Sequence, residues 1–162
     1  MLGIFDAHSK HGLLLDTNLL VVRVWGELGM PQTRVTDAYT AEDLRLLLAL
    51  LARNRGPLLT TAHILAETSN LVAGALTGDM RRAALIYLRT LVLDVLDETP
   101  ISGRQAVEDP VFLELGMADA GIAVLRSRKC VVLTADGPLY QRLAALQVPV
   151  LNFNHCRGYL LS

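Results

Sequence analysis

Short, wholly apolar runs recur along this chain, separated by longer stretches in which apolar side chains return every three or four positions. A strand covered on both faces needs runs of the first kind, and an amphipathic helix needs stretches of the second. Gly12-Leu13-Leu14-Leu15-Asp16-Thr17-Asn18 is an apolar run ending in polar residues, which predicts a first buried strand over 13–17. Asn18 to Leu28 then continues as a helix, ended by Gly29 and Pro31 and followed by a polar loop through Thr36. Thr40 is a natural N-cap for a helix over 41–53, with Glu42 and Asp43 in its first turn and Arg53, Arg55 and Gly56 closing it as the helix dipole favours.

Pro57 to Thr61 predicts a second strand feeding a helix from Ala62 to Ala75 that stops near Gly78. Asp79 is expected to cap a helix from Met80 to Leu91, while Leu93 to Asp97 alternates as a third strand would. A short helix is expected from Ile101 to Glu108, broken by Asp109-Pro110, and helical spacing resumes from Ala118 to Arg128 with cations in the last turn. Lys129 to Thr134 is β-branched and apolar, a fourth buried strand, and a helix over 137–146 and a strand from Val148 to Leu151 complete the pattern. Strands alternating with helices predict an α/β protein, a three-layer α/β/α sandwich with a largely parallel central sheet and right-handed crossovers.

Composition narrows the class further. The 162 residues suit one ordinary domain, and 52% apolar against 19% charged residues exclude a disordered chain. With 33 Leu and only 5% aromatic residues, aliphatic helix packing is favoured over an aromatic-rich β-sandwich. The longest apolar run, Leu46 to Ala52, lies between Arg45 and Arg53 and falls far short of the ~20 residues a membrane helix requires. The N-terminal MLGIFDAHSKHG has no basic start, apolar stretch and small-residue cleavage site in succession, so no signal peptide and a cytoplasmic location are expected. Cys130 and Cys156 lack CxxC spacing and are expected as reduced thiols. A net charge of -1 excludes a basic nucleic-acid tail or a polybasic membrane anchor.

Four acids sit where folding alone would not put them. Asp16 ends a buried strand, and Asp136 follows the fourth strand after Thr134-Ala135, so parallel strands bring both to the same sheet edge. Glu67, three residues after Ile64 and four before Leu71, points along the apolar stripe of its helix; Asp119 likewise precedes Ile122 and Ala123 by three and four. Each has a plainer explanation. Asp16 suits a helix N-cap, Asp136-Gly137-Pro138 suits a turn and helix start, and Glu67 and Asp119 suit the rims of helices. Carboxylates driven into low dielectric nevertheless need a counter-charge. With two Lys against 13 Arg, and no Arg spaced to pair all four acids locally, a divalent cation is the economical choice.

In their order and context these pieces resemble the PIN domain of metal-dependent ribonucleases, and within it the VapC-type toxin nucleases. The matching segments are Leu14-Leu15-Asp16-Thr17-Asn18, Ile64-Leu65-Ala66-Glu67, Met117-Ala118-Asp119-Ala120-Gly121-Ile122-Ala123 and Val132-Leu133-Thr134-Ala135-Asp136, together spanning roughly residues 12 to 153. The stretch from Trp25 to Thr40 is longer than in the compact toxins of that family. The resemblance implies that Asp16, Glu67, Asp119 and Asp136 are catalytic and hold one or two Mg²⁺ or Mn²⁺ ions, hydrolysing RNA to a 5′-phosphate and a 3′-hydroxyl. Asn18, Thr134 and Asn70 would hydrogen-bond those carboxylates or a phosphate, although local turn and cap bonding serves them equally. It further implies an RNA substrate, a small antitoxin and a homodimer.

Other readings stay open. A non-catalytic RNA- or protein-binding module, or a stand-alone RNA-processing nuclease, fits the same segments. A phosphatase of the haloacid dehalogenase type also places an Asp after its first strand, but it uses a second Asp two residues on, where this chain has Asn18. His63 lacks the second histidine of a zinc-protease helix, His8 and His11 sit in a polar N-terminal segment, and no GxGxxG, GxxxxGK[ST] or GxSxG occurs. The tail from Asn152 to His155 suits a capped C-terminus on the sheet edge. Val21, Val22, Trp25 and Leu28 suit core packing better than a partner surface.

Overall fold

The apolar runs become strands and the periodic stretches become helices. The computed structural model describes residues 2–30 and 36–160. A first helix, α1 (Leu2–His8), and a 3-10 turn (Ser9–His11) precede β1 (Leu13–Leu15), whose three leucines are all buried. There follow α2 (Thr17–Glu27), α3 (Ala41–Arg53), β2 (Leu58–Thr60), α4 (Ala62–Ala75), α5 (Gly78–Asp94) and β3 (Leu96–Glu98). The second half comprises α6 (Gly103–Glu108), α7 (Val111–Leu115), α8 (Met117–Val124) with a 3-10 extension (Leu125–Arg128), β4 (Val131–Thr134), α9 (Gly137–Ala145), β5 (Val150–Asn152) and α10 (Phe153–Leu160).

The five strands are all parallel, in the order β3-β2-β1-β4-β5, as an α/β/α sandwich requires. β1 is the pivot, with Leu14 opposite Leu59 of β2 on one side and Val132 of β4 on the other. The chain steps outward from β1 to β2 and β3, then returns to lay β4 on the free side of β1. Strand order therefore reverses between β1 and β4, and the crevice at their carboxyl ends is the switch point where open α/β sheets bind ligands. Val21, Val22 and Trp25 of α2 join the core and Leu28 stays exposed. Among the described residues no helix is long and apolar enough to cross a membrane. Cys130 and Cys156 are buried and are not joined in a disulfide.

Where local signals agreed, element bounds match expectation. α3 and α4 span the expected residues, and Thr40 with Asp43 forms a reciprocal capping box. The third strand is a correction. Ala84, Leu88 and Leu91 form one buried stripe, which carries α5 through Asp94 and moves β3 to Leu96–Glu98. The alternation that predicted a strand over 93–97 included Leu93, which is 68% exposed on the outer face of the helix. Asp79 lies in the first turn of α5 and Thr77 takes the cap position. α7 and α10 were not expected. α10 begins at Phe153, where the tail was expected to stop as a cap, and Asn152 Oδ1 accepts from the Asn154 amide at 2.9 Å. The expected helix to Arg128 tightens into the 3-10 turn after Val124 and ends at Lys129, with φ of 56°. Most of the loop expected through Thr36, residues 31–35, lies outside the described residues.

Candidate active site at the switch point

Asp16 leaves β1 as the N-cap of α2, its Oδ1 accepting from the Leu19 amide at 2.8 Å. The N-cap explanation is thus correct, and it is incomplete. Oδ2 accepts from the Ala135 amide at 3.0 Å and from the Thr134 hydroxyl, both at the end of β4. The residue is 3% exposed. Burial pushes its carboxyl above the usual carboxylate range, against hydrogen bonds from Thr134, Leu19 and Ala135 that favour the charged form.

Asp136 caps α9, its Oδ1 accepting from the Leu139 amide at 2.7 Å, and its own amide donates to Thr134 Oγ1 at 2.9 Å. The Thr134 hydroxyl thus accepts from the backbone of one acid and donates to the side chain of the other, fixing both. Half-buried Asn18 follows in the first turn of α2.

Glu67 corrects the expectation that it follows the apolar stripe. Ile64, Thr68 and Val72 form the buried stripe of α4, and Glu67 flanks it, exposed at the rim. It is held there by the Thr17 hydroxyl, which donates to its Oε2 at 2.8 Å and joins α4 to the start of α2. Asp119 stands in the first turn of α8. Its carboxyl is pushed from 3.8 up to about 7, first by burial and then by repulsion from Asp136, Asp16 and Glu67. A helix N-terminus favours negative charge, so these effects outweigh the dipole. Four acids delivered by β1, α4, α8 and β4 therefore share one region, and Asp119 senses the other three.

Beside them lies a cleft of ≈ 390 Å³ lined in part by His63, Glu67, Asn70, Gly116, Met117 and Asp119. It brings exposed Asn70 into the site. His63, one turn before Glu67, joins the lining as well; its buried Nδ1 has no hydrogen-bond partner. The ring lies against Gly121 of α8, where a Cβ would come within 3.3 Å of Nδ1, so the missing side chain lets α4 and α8 close around the cleft. Sequence reasoning missed Thr17 and the Ala135 amide. A hydroxyl following Asp16 was a usable signal for the first, and a backbone donor leaves none. His8 and His11 precede β1, at the opposite edge of the sheet.

The donors are carboxylate oxygens, the hard ligands that suit Mg²⁺ or Mn²⁺ rather than a thiophilic metal. Among the described residues no group of three or more His, Cys, Asp and Glu side chains is arranged to hold a metal ion outright. Asp16 already directs both oxygens to internal donors, so the set fits a cation that retains several waters and takes few direct protein ligands, as Mg²⁺ does. No protein-family model matches the chain, and no match is found among curated proteins.

Proposed function

We propose that this chain is a metal-dependent endoribonuclease of the PIN-domain type. The observation that carries the reading is the convergence of Asp16, Glu67, Asp119 and Asp136 at the β1/β4 switch point, where burial, and then repulsion from the other three, pushes the Asp119 carboxyl up to about 7. Such repulsion costs folding stability, and acids retained at that cost fit a site that works with a cation bound.

Mg²⁺ or Mn²⁺ bound among these residues would lower the pKa of a coordinated water and offset charge on a phosphodiester under attack. The chain's own residues prepare that site. Asp16 is locked by the Leu19 and Ala135 amides and the Thr134 hydroxyl, so its carboxylate needs no reorganisation. Thr17 orients Glu67 at the solvent edge, where a substrate phosphate has access. A cation bound beside Asp119 would favour its ionised form against burial and the neighbouring acids. Asn70 and His63 line the cleft and offer polar contacts to a ribose or phosphate.

The test is incubation of the purified protein with an RNA pool and Mn²⁺. Internal cleavage to 5′-phosphate ends is expected, abolished by chelation and by Asp16→Asn. Asn keeps the cap on the Leu19 amide but turns its amide nitrogen toward the Ala135 N–H, so the variant is first shown to be folded by circular dichroism. An RNA pool left intact with Mn²⁺ and Mg²⁺ alike would refute the reading. Control by a small antitoxin and dimerisation rest on the resemblance alone. Growth arrest on expression, relieved by co-expressing a short reading frame found beside its gene, is the outcome expected of a toxin.

A further inference from the structure

An acidic centre repels the polyanion it is proposed to cut, so attraction must come from cations elsewhere on the chain. Most of the described arginines are already engaged: Arg53 with Asp6, Arg126 with Asp109, Arg142 with Glu114 and Arg157 with Asp43, while Arg23, Arg45, Arg55, Arg104 and Arg128 also have a hydrogen-bond or ion-pair partner. The exceptions are Arg81, Arg82 and Arg89. All three are exposed, have no partner among the described residues and stand on α5. Lys10 and Lys129 precede β1 and β4 and so lie at the sheet edge opposite the acids.

The three arginines share one helix face. Gly78, Arg81, Arg82, Leu85, Ile86 and Arg89 recur at three- and four-residue intervals and line an open cleft of ≈ 470 Å³. Arg82 and Arg89 are about 10 Å apart along the helix, which places them on different phosphates of a strand. α5 ends one residue before β3, at the edge away from the acids, and Arg81 and Arg82 stand roughly 18 Å or more along the helix from that end. α5 packs on α4, the helix that carries Glu67, and only Leu76 and Thr77 separate the two helices.

We propose that this face of α5 binds the phosphate backbone of single-stranded RNA and guides the strand toward the acidic cleft. The inference rests on the endoribonuclease reading and adds a second contact surface to it. Planar guanidinium groups pair bidentately with phosphate, and unpaired ones need no internal ion pair broken first. An acidic protein segment is the competing occupant. It is disfavoured because the cleft lining carries no aromatic anchor, and the exposed aliphatic side chains along this stripe, Ile86 and Leu93, are a small apolar area for a protein interface.

The experiment measures binding of a fluorescent single-stranded oligoribonucleotide to the full chain in EDTA, from 50 to 200 mM salt. For single strands the slope of log K against log salt is about -0.7 per phosphate contacted, so Arg81→Ala/Arg82→Ala/Arg89→Ala should flatten it by about 2, roughly a 16-fold difference across that range. The corresponding triple Lys variant should keep most of the slope. An unchanged slope in the Ala variant overturns the proposal. So does loss of polyglutamate binding with RNA binding intact, which would assign the face to an acidic protein. The two readings fail separately. RNA binding that depends on α5 without Mn²⁺-dependent cleavage sustains this surface and refutes the nuclease, whereas cleavage lost in Asp16→Asn with an unchanged salt slope does the reverse.

Discussion

Asp119 offers a quantitative handle on the acidic site, because its carboxyl titrates near 7 in the folded chain and near 3.8 when unfolded. The folded state holds this proton more tightly, so protonated Asp119 imposes no penalty below pH 3.8. Stability is then lost as pH rises from there to about 7 and stays low above. At 1.36 kcal/mol per pH unit the full penalty is about 4 kcal/mol, and screening of the solvent-facing side by water and salt brings it to about 2 kcal/mol. Asp119→Asn is nearly isosteric and carries no charge. In urea unfolding with EDTA it should be more stable than wild type by about 2 to 4 kcal/mol at pH 8, and within about 0.5 kcal/mol of it near pH 4. A gain of equal size at both pH values would show that packing, not charge repulsion, is at issue. No gain at pH 8 would show that neither burial nor the neighbouring acids disfavour the charged form of Asp119. The opposite signs expected for stability and activity in this one variant separate a functional acid from a structural one.

Three further outcomes follow from named contacts. Thr134→Val should destabilise the chain by about 1.5 to 3 kcal/mol in chemical denaturation, since it removes a hydroxyl donated to the buried Asp16 carboxylate, and Thr134→Ser should recover most of that loss. Arg157 clamps Asp43 through Nε and Nη2, both at 2.7 Å, and ties α10 to α3, so Arg157→Ala should cost about 3 kcal/mol, with part of it recovered in the Arg157→Ala/Asp43→Ala double variant, as a thermodynamic cycle would measure. Burial raises the thiols of Cys130 and Cys156 above their ordinary range, so a disulfide exchange reagent should leave both unmodified for hours in native protein and react with both in denaturant.

The fold was legible where local chemistry and tertiary burial agree. The Leu13–Leu15 run has no helical alternative, and the Thr40 cap with its acidic first turn fixes the start of α3. At β3 they disagree: the burial of Ala84, Leu88 and Leu91 extends α5 past a segment that alternates like a strand. α10 buries Phe153 and Cys156, a single three-residue spacing that is too short to announce a helix before the packing partner is known. In the site, Asp16 and Asp136 were legible because acids ending buried strands are conspicuous. Their link was not, because it runs through a threonine hydroxyl and a backbone amide more than 100 positions from Asp16. The side on which Glu67 emerges depends on helix phase to within one residue, which is set only by what α4 packs against.

The central claim is that Asp16, Glu67, Asp119 and Asp136 together form one cation-dependent site. It is tested most directly by calorimetric titration of Mn²⁺ into the wild-type chain and into Asp16→Asn, Glu67→Gln, Asp119→Asn and Asp136→Asn, each first shown to be folded. Saturable binding to wild type, weakened tenfold or more in every variant, is the predicted result; no binding at millimolar Mn²⁺, or binding unchanged in two or more of the variants, would contradict it.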